Sequence, residues 1–190
     1  MIVKFLDEEI SYEGSQLNGL FDYQKLKVND DSLIAFIGAA DVKEGLIDEE
    51  DRLNQDFIKA KLMLHFIMTI RGNKLRESRL WQLHLIQIAY NILISLCFMP
   101  IYFKKFGDDI FVIKENIKRK LSVSIATLAG NEKEVVHFGI NILDEGAPIP
   151  TYSLQKLNID PKEFGMKILN EFKNFYEEDV QKSLYKVRGV

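Results

Sequence analysis

An α+β fold with a mostly antiparallel sheet is what this sequence predicts, and three observations predict it. Short apolar runs rich in β-branched and aromatic residues recur along the chain, they do not alternate regularly with helical segments, and two helical patterns stand apart, one long and central and one near the C-terminal end. The size suits one unit. With 190 residues, 47% hydrophobic and 28% charged, and only four prolines, the chain can bury a sizeable core and is far from a disordered or collagen-like composition. We expect a single domain over residues 1–190, with a sheet-and-helix core to about residue 150 and a helical segment from about residue 151.

In chain order, IVKFL reads as a short strand, YEGSQLNG as a turn and SLIAFIG at 32–38 as a buried strand. The stretch from Asp41 to Asp56 is predominantly acidic and reads as a solvated loop, and KLMLHFIMTI at 61–70 as a second buried strand. No residue from Leu80 to Phe103 carries a charge, a length that could span a bilayer. Yet His84, Gln87, Asn91 and Ser95 recur at spacings of three or four on one helical stripe, and Pro100 ends the pattern, so a largely buried helix of a soluble protein is expected and no membrane span. After Pro100, IYFKKF, DIFVIK, KLSVSIATLA and EVVHFGINIL read as strands, the last two joined by a turn at Gly130 and Asn131. Asp160, Pro161 and Glu163 suit the N-cap, N1 and N3 positions of a final helix whose apolar face is Phe164, Ile168, Phe172 and Phe175.

Charge and cysteine usage narrow the function classes. A formal net charge of −3 argues against a protein held on nucleic acid mainly by counterion release, so no nucleic-acid partner is expected, although a local basic patch is compatible with it. The single cysteine, Cys97, can form neither an internal disulfide nor a structural zinc site, and its apolar setting reads as structural. The N-terminal residues lack a signal-peptide pattern, and a cytoplasmic location is expected. His65 and His84 stand alone among apolar residues and read as satisfied core groups, so no metal ligand set is assigned.

The last two strands carry the most functional information. Unbroken period-two alternation puts Leu121, Val123 and Ile125 with Phe138, Ile140 and Ile142 on a core face. The opposite face then carries Lys120, Ser122, Ser124 and Ala126 beside His137, Gly139 and Asn141, residues that are small or chemically functional. Small residues leave space above a sheet, and a cation, an imidazole and an amide need partners there, which a bound anion would supply. The alternative occupant of that space is a helix packed closely over the small residues.

The run GDDIFVIKENIKRKLSVSIATLAGNEKEVVHFGIN resembles the central motif of biotin protein ligases and lipoate ligases, through Asp108, Asp109 and Ile110, then Arg119, Lys120 and Leu121, then Gly139, Ile140 and Asn141. That resemblance covers roughly residues 30–145 and implies a fold of the biotin/lipoate ligase and class II synthetase type. It implies an adenylate-forming or acyl-transfer enzyme acting on a small carboxylic acid. Lys120 would be the catalytic lysine, Asp109 a carboxylate near the adenylate or its metal, and Asn141 an amide near the nucleotide, with ATP and Mg²⁺ as the implied co-reactants. Several residues depart from the pattern. Asp108 stands where those ligases have Asn, Val123 replaces a glycine, and extra residues before Lys120 leave Lys118 as an alternative counterpart. The region 39–56, where the ligases carry a basic clamp, holds Glu44, Asp48, Glu49, Glu50 and Asp51, which would repel phosphate unless a divalent cation intervened. A non-catalytic small-molecule or nucleotide-binding protein is therefore the alternative, and a subunit that completes an oligomer is a third reading. Over nearly its full length the chain also resembles an uncharacterised, mainly archaeal family, through YEGSQL, MLHFI, KLSVSIAT, HFGIN and GAPIPT.

Overall fold

A computed structural model describes residues 1–42, 59–145 and 149–186. Five strands form a central sheet in the order β1-β2-β3-β8-β7: β1 (Ile2–Phe5), β2 (Ser32–Asp41), β3 (Lys59–Arg71), β8 (Lys133–Asn141) and β7 (Ser122–Ala129). Only β1 and β2 pair in parallel; the other neighbours are antiparallel. A second, three-stranded antiparallel sheet holds β4 (Tyr102–Phe106), β5 (Asp109–Lys114) and β6 (Ile117–Lys120). Glu115 and Asn116 both take positive φ in the two-residue connection between β5 and β6, the twist that a tight hairpin requires.

Among the described residues the α-helices are α1 (Phe21–Leu26), α2 (Leu75–Leu96), α3 (Leu154–Leu157) and α4 (Pro161–Asn174). α2 begins before the uncharged segment and ends before Pro100, so Phe98 to Phe103 leave the helix and enter β4. The stripe of His84, Gln87, Asn91 and Ser95 lies on the helix's outer, partly exposed side, whereas Ser78 and Gln82 are its buried polar residues. Among the described residues no helix is long and apolar enough to cross a membrane. The expected cap of the last helix is present: Asp160 accepts from the Glu163 backbone at 2.7 Å, with Pro161 in the first turn.

The central sheet is buried on both faces, which is why its strands read as continuous apolar runs. On one face Leu33, Ala35, Leu64, Phe66, Phe138 and Ile140 pack under α2 and α4. On the other, Ile34, Phe36, Met63, Ile67 and Val135 pack under the N-terminal residues Leu6, Tyr12 and Phe21. That covering segment lies close to β2. A Cβ on Gly38 would fall 1.9 Å from the Ile10 carbonyl oxygen, so only glycine permits this approach. The acidic stretch Glu44 to Asp51 falls outside the described residues.

One expectation about the hairpin is corrected here. KLSVSIATLA is not one strand; it divides at Leu121, which donates to Ile110 of the small sheet at 2.8 Å and accepts from Asn141 of the large one at 3.0 Å. Leu121 and Ser122 therefore both lie toward the core under α2, and the alternation slips by one residue. Val123 pairs with Gly139 and Ile125 with His137, while Ser122 and Ser124 pair with Ile140 and Phe138. The helix-covered alternative describes the small residues: Ser122 is fully buried, and Ser124 meets Gln82 of α2 at 2.8 Å.

Candidate functional site

The crossing point between the two sheets fixes Lys120. Its backbone N donates to Pro150 at 3.0 Å and its carbonyl accepts from the Tyr152 backbone at 2.9 Å and from Asn141 Nδ2 at 3.4 Å. A peptide held from both sides leaves its side chain a limited range of directions. The ammonium lies 3.0 Å from Asp109 Oδ1, and both side chains remain partly accessible, at 22% and 27%. Lys118, two residues earlier on the same face of β6, instead places its Nζ 3.6 Å from the Phe111 ring centroid. Of the two candidate lysines, Lys120 is the one that meets the carboxylate. Asn141, expected to face a ligand, spends its amide on the Lys120 and Tyr152 carbonyls and so acts on the position of Lys120.

Asp108, next to Asp109, anchors β5 to α2 and β7. Its carboxylate accepts from Arg79 Nη2 at 2.9 Å, from Ser124 Oγ at 2.9 Å and from Gln82 Nε2 at 3.2 Å, while Arg79 Nη1 donates to Gln82 Oε1 at 2.6 Å. Burial pushes the Asp108 carboxyl up, but the hydrogen bonds from Arg79 and Ser124 outweigh it and hold the group below the usual carboxylate range. Ser122 Oγ accepts from the Ile110 backbone at 2.9 Å. Both serines expected to line a ligand pocket are thus bonded within the frame that holds Asp109.

His137 and Gly139 lie on the other face of the sheet, away from these serines. His137 Nε2 is 3.0 Å from His65 Nδ1, and His65 Nε2 is 3.2 Å from the Gly38 carbonyl oxygen. A carbonyl only accepts, so His65 carries its proton on Nε2, His65 Nδ1 accepts from His137 Nε2, and both rings are neutral. Tyr12 stacks on His137 with ring centroids 3.6 Å apart. Burial lowers His65 to about 4 and His137 well below its ordinary value. Gly139 provides room for this pair: a Cβ there would lie 3.0 Å from Met63 Cε and 3.3 Å from His137. The space that small residues imply is therefore filled by the protein's own rings. Sequence reasoning found His65 as a satisfied core group but missed its partner, because the two are 72 residues apart.

A feature that the sequence did not suggest adjoins Lys120. Met99, Lys114, Glu115, Arg119, Tyr152 and Lys156 line a groove of about 340 Å³, and three of these six residues are cations. Its signal was present in the clustering of cations in KRK and the flanking strands, but only the tertiary fold brings Lys156 to them. Among the described residues no cluster of three or more histidine, cysteine, aspartate or glutamate residues is arranged to hold a metal ion.

A family model described as Domain of unknown function (DUF366) matches residues 1–188. The chain belongs to that family. A solved structure of a protein of unknown function from Pyrococcus horikoshi is 26% identical and superposes with a TM-score of 0.82 over 99% of this chain and 98% of that one. The biotin protein ligase of Aquifex aeolicus, solved in complex with biotin and ATP, is 17% identical, with a TM-score of 0.55 over 97% of this chain and 76% of that one. A bi-partite lipoate protein ligase from Thermoplasma acidophilum is 11% identical, with a TM-score of 0.53 over 93% and 83%. The fold of this DUF366 chain is thus α+β and of the biotin/lipoate ligase kind, with β7 and β8 closing its central sheet.

Proposed function

We propose that this protein is an adenylate-forming or acyl-transfer enzyme acting on a small carboxylic acid. The observation that carries the reading is the Lys120–Asp109 pair, 3.0 Å apart and partly accessible, at the crossing of the two sheets in a ligase-like fold. In the proposed reaction a carboxylate oxygen of the acid attacks the α-phosphorus of a nucleoside triphosphate, the bond to the bridging oxygen breaks, and pyrophosphate leaves. Negative charge accumulates on the phosphoryl oxygens, where an ammonium held in place before the reaction stabilises it. Asp109 keeps the lysine extended toward the site until the anionic substrates compete for it. ATP and Mg²⁺ enter by resemblance to the ligases, and a cation would also let phosphate approach the acidic stretch that includes Glu49 and Glu50. A cytoplasmic location and a small-molecule ligand belong to the same proposal.

A specific observation favours a second reading, that of a non-catalytic small-molecule or nucleotide-binding protein. The groove beside Lys120 offers the cations Lys114, Arg119 and Lys156 to an anion, which is enough to bind a nucleotide whether or not a reaction follows.

A thermal-shift series distinguishes the two. ATP with Mg²⁺ and each of biotin, lipoate and other short acids is expected to raise Tm, and pyrophosphate release is expected with the acid that serves as substrate. Lys120→Ala should abolish both effects while leaving the ligand-free Tm close to wild type, and Lys118→Ala should retain them. Ligand-induced stabilisation without pyrophosphate release for any acid supports the binding protein. No shift with any nucleotide, or shifts unchanged in Lys120→Ala, rejects the Lys120 site.

A further inference from the structure

We propose that the outer face of the small sheet is a binding surface for single-stranded nucleic acid. The net charge of −3 argues against a basic surface over the whole molecule, but that charge is unevenly spread. Lys104, Lys105, Lys114, Lys118, Arg119 and Lys120 fall within the stretch that forms β4, β5 and β6, against Asp108, Asp109 and Glu115. Two of these acids are already engaged, Asp108 by Arg79 and Asp109 by Lys120. Lysines elsewhere on the surface, such as Lys25, Lys61, Lys162 and Lys167, are paired with carboxylates. Among the described residues, Lys104 and Lys118 meet none.

Strand alternation brings these cations to the same face as a set of aromatic rings. On β4, Tyr102, Lys104 and Phe106 are exposed, whereas Phe103 between them packs against the core. The register sets Phe111 between Lys104 and Lys120, and Ile113 between Tyr102 and Lys118, on the face opposite the fully buried Ile110 and Val112. Tyr102 and Phe106 are 77% and 71% exposed, two rings on one short strand left open to solvent. Lys118 Nζ lies 3.6 Å from the Phe111 centroid and 5.8 Å from that of Phe106, so a cation stands at the height of the rings.

The combination selects its partner. A single strand offers phosphates to the ammonium groups and unstacked bases to the rings, and the stacking tolerates any sequence. A duplex keeps its bases stacked inside and gives the rings nothing but backbone. An acidic polypeptide would use the lysines and leave the rings without a contact. A bilayer would take Tyr102 and Phe106 only by drawing in Lys104, which stands between them on the strand. The single strand uses both the charge and the rings.

Fluorescence anisotropy of a labelled oligothymidylate or oligouridylate with the full chain is expected to show binding that weakens roughly tenfold between about 50 and 200 mM salt, as two or three phosphate contacts require. Tyr102→Ala and Phe106→Ala should each weaken it by at least about fivefold, as the loss of a stacked base does. Lys104→Glu should weaken it as well, and all three should leave the far-ultraviolet circular dichroism spectrum unchanged, because the residues are exposed. Lys162→Glu, the same charge reversal away from the small sheet, should leave the affinity close to wild type. Neither ATP nor an acid is present, so the result stands whether or not the protein releases pyrophosphate. No binding at tens of micromolar protein, binding insensitive to Tyr102→Ala and Phe106→Ala, or equal affinity for a duplex of the same length overturns the proposal. So does a polyglutamate peptide or a phosphatidylserine vesicle that binds through these residues where the oligonucleotides do not, which would assign the face to an acidic protein or a membrane.

Discussion

Lys120 shows how much of a side chain's chemistry is decided by its backbone. Its peptide is bonded to Pro150, Tyr152 and Asn141, residues from two separate stretches of chain, and the ammonium meets Asp109 as a result. Asn141→Ala should therefore act through Lys120: it leaves two carbonyls short of a donor and is expected to lower any nucleotide-dependent turnover while costing about 1–3 kcal/mol of stability, read from urea unfolding. Gly38 is fixed by close approach. Gly38→Ala must displace the Ile10 backbone, and a loss of at least about 1–3 kcal/mol is expected in the same measurement. The buried histidines give the protein a pH dependence with a defined sign. His65 is held at about 4 by burial, against an ordinary value near 6.5 in the unfolded chain, so only the unfolded chain takes up the proton between those values. The contribution is complete above about pH 6.5 and is lost as pH falls toward 4, at about 1.4 kcal/mol per pH unit for each histidine so affected, His137 included. Urea midpoints measured between pH 7.5 and 5 should decline along that slope; a flat profile would mean that the pair is accessible to protons in the folded state.

At the scale of elements, the decisive feature is the break at Leu121. A strand that stayed in one sheet would have kept its alternation and put Ser122 and Ser124 beside His137 and Gly139. By changing sheets, the chain turns the serines toward α2, where they secure the β5 backbone at Ile110 and the Asp108 carboxylate. β8 is the strand on which both layers depend, since it pairs with β3 and β7 and is buried along most of its length. Ile140 is fully buried, and Ile140→Ala should cost about 2–5 kcal/mol, through lost transfer energy and the cavity left behind. The cap of α4 is a smaller effect. Asp160→Ala removes the acceptor for the Glu163 N–H and should cost about 1 kcal/mol in thermal or urea unfolding.

For the whole molecule, stability depends on covering both faces of one sheet. Two helices cover one face, and the other is covered by about twenty residues near the N-terminus, among them Leu6, Tyr12 and Phe21. Tyr12 continues this covering along the edge of β2, bonded to Ala39 and Asp41 at 2.8 and 3.0 Å. Lys133 ties α1 to β8 through Asp22, at 3.0 Å, in a setting where the aspartate is almost wholly buried. A chain lacking residues 1–26 would expose Phe36, Met63, Ile67 and the histidine pair together. It is expected to lose cooperative unfolding and to bind a hydrophobic dye, whereas the full chain should melt in a single transition.

What the sequence determined by itself was local. Hydrophobic period, the Asp160-Pro161-Glu163 cap and the Gly130-Asn131 turn identify the strands and the last helix because each depends on neighbours within a few residues. The fold class followed from their order, and the motif around Lys120 and Asp109 indicated the ligase-like fold that the comparison with solved structures bears out. Tertiary structure decided which residues face one another. The change of sheets at Leu121, the pairing of His65 with His137, and the bonding of Ser124 to Asp108 and Gln82 all join residues far apart in the chain. Period-two reasoning assumes an unbroken strand, and a single residue shared by two sheets is enough to reverse every face that follows it.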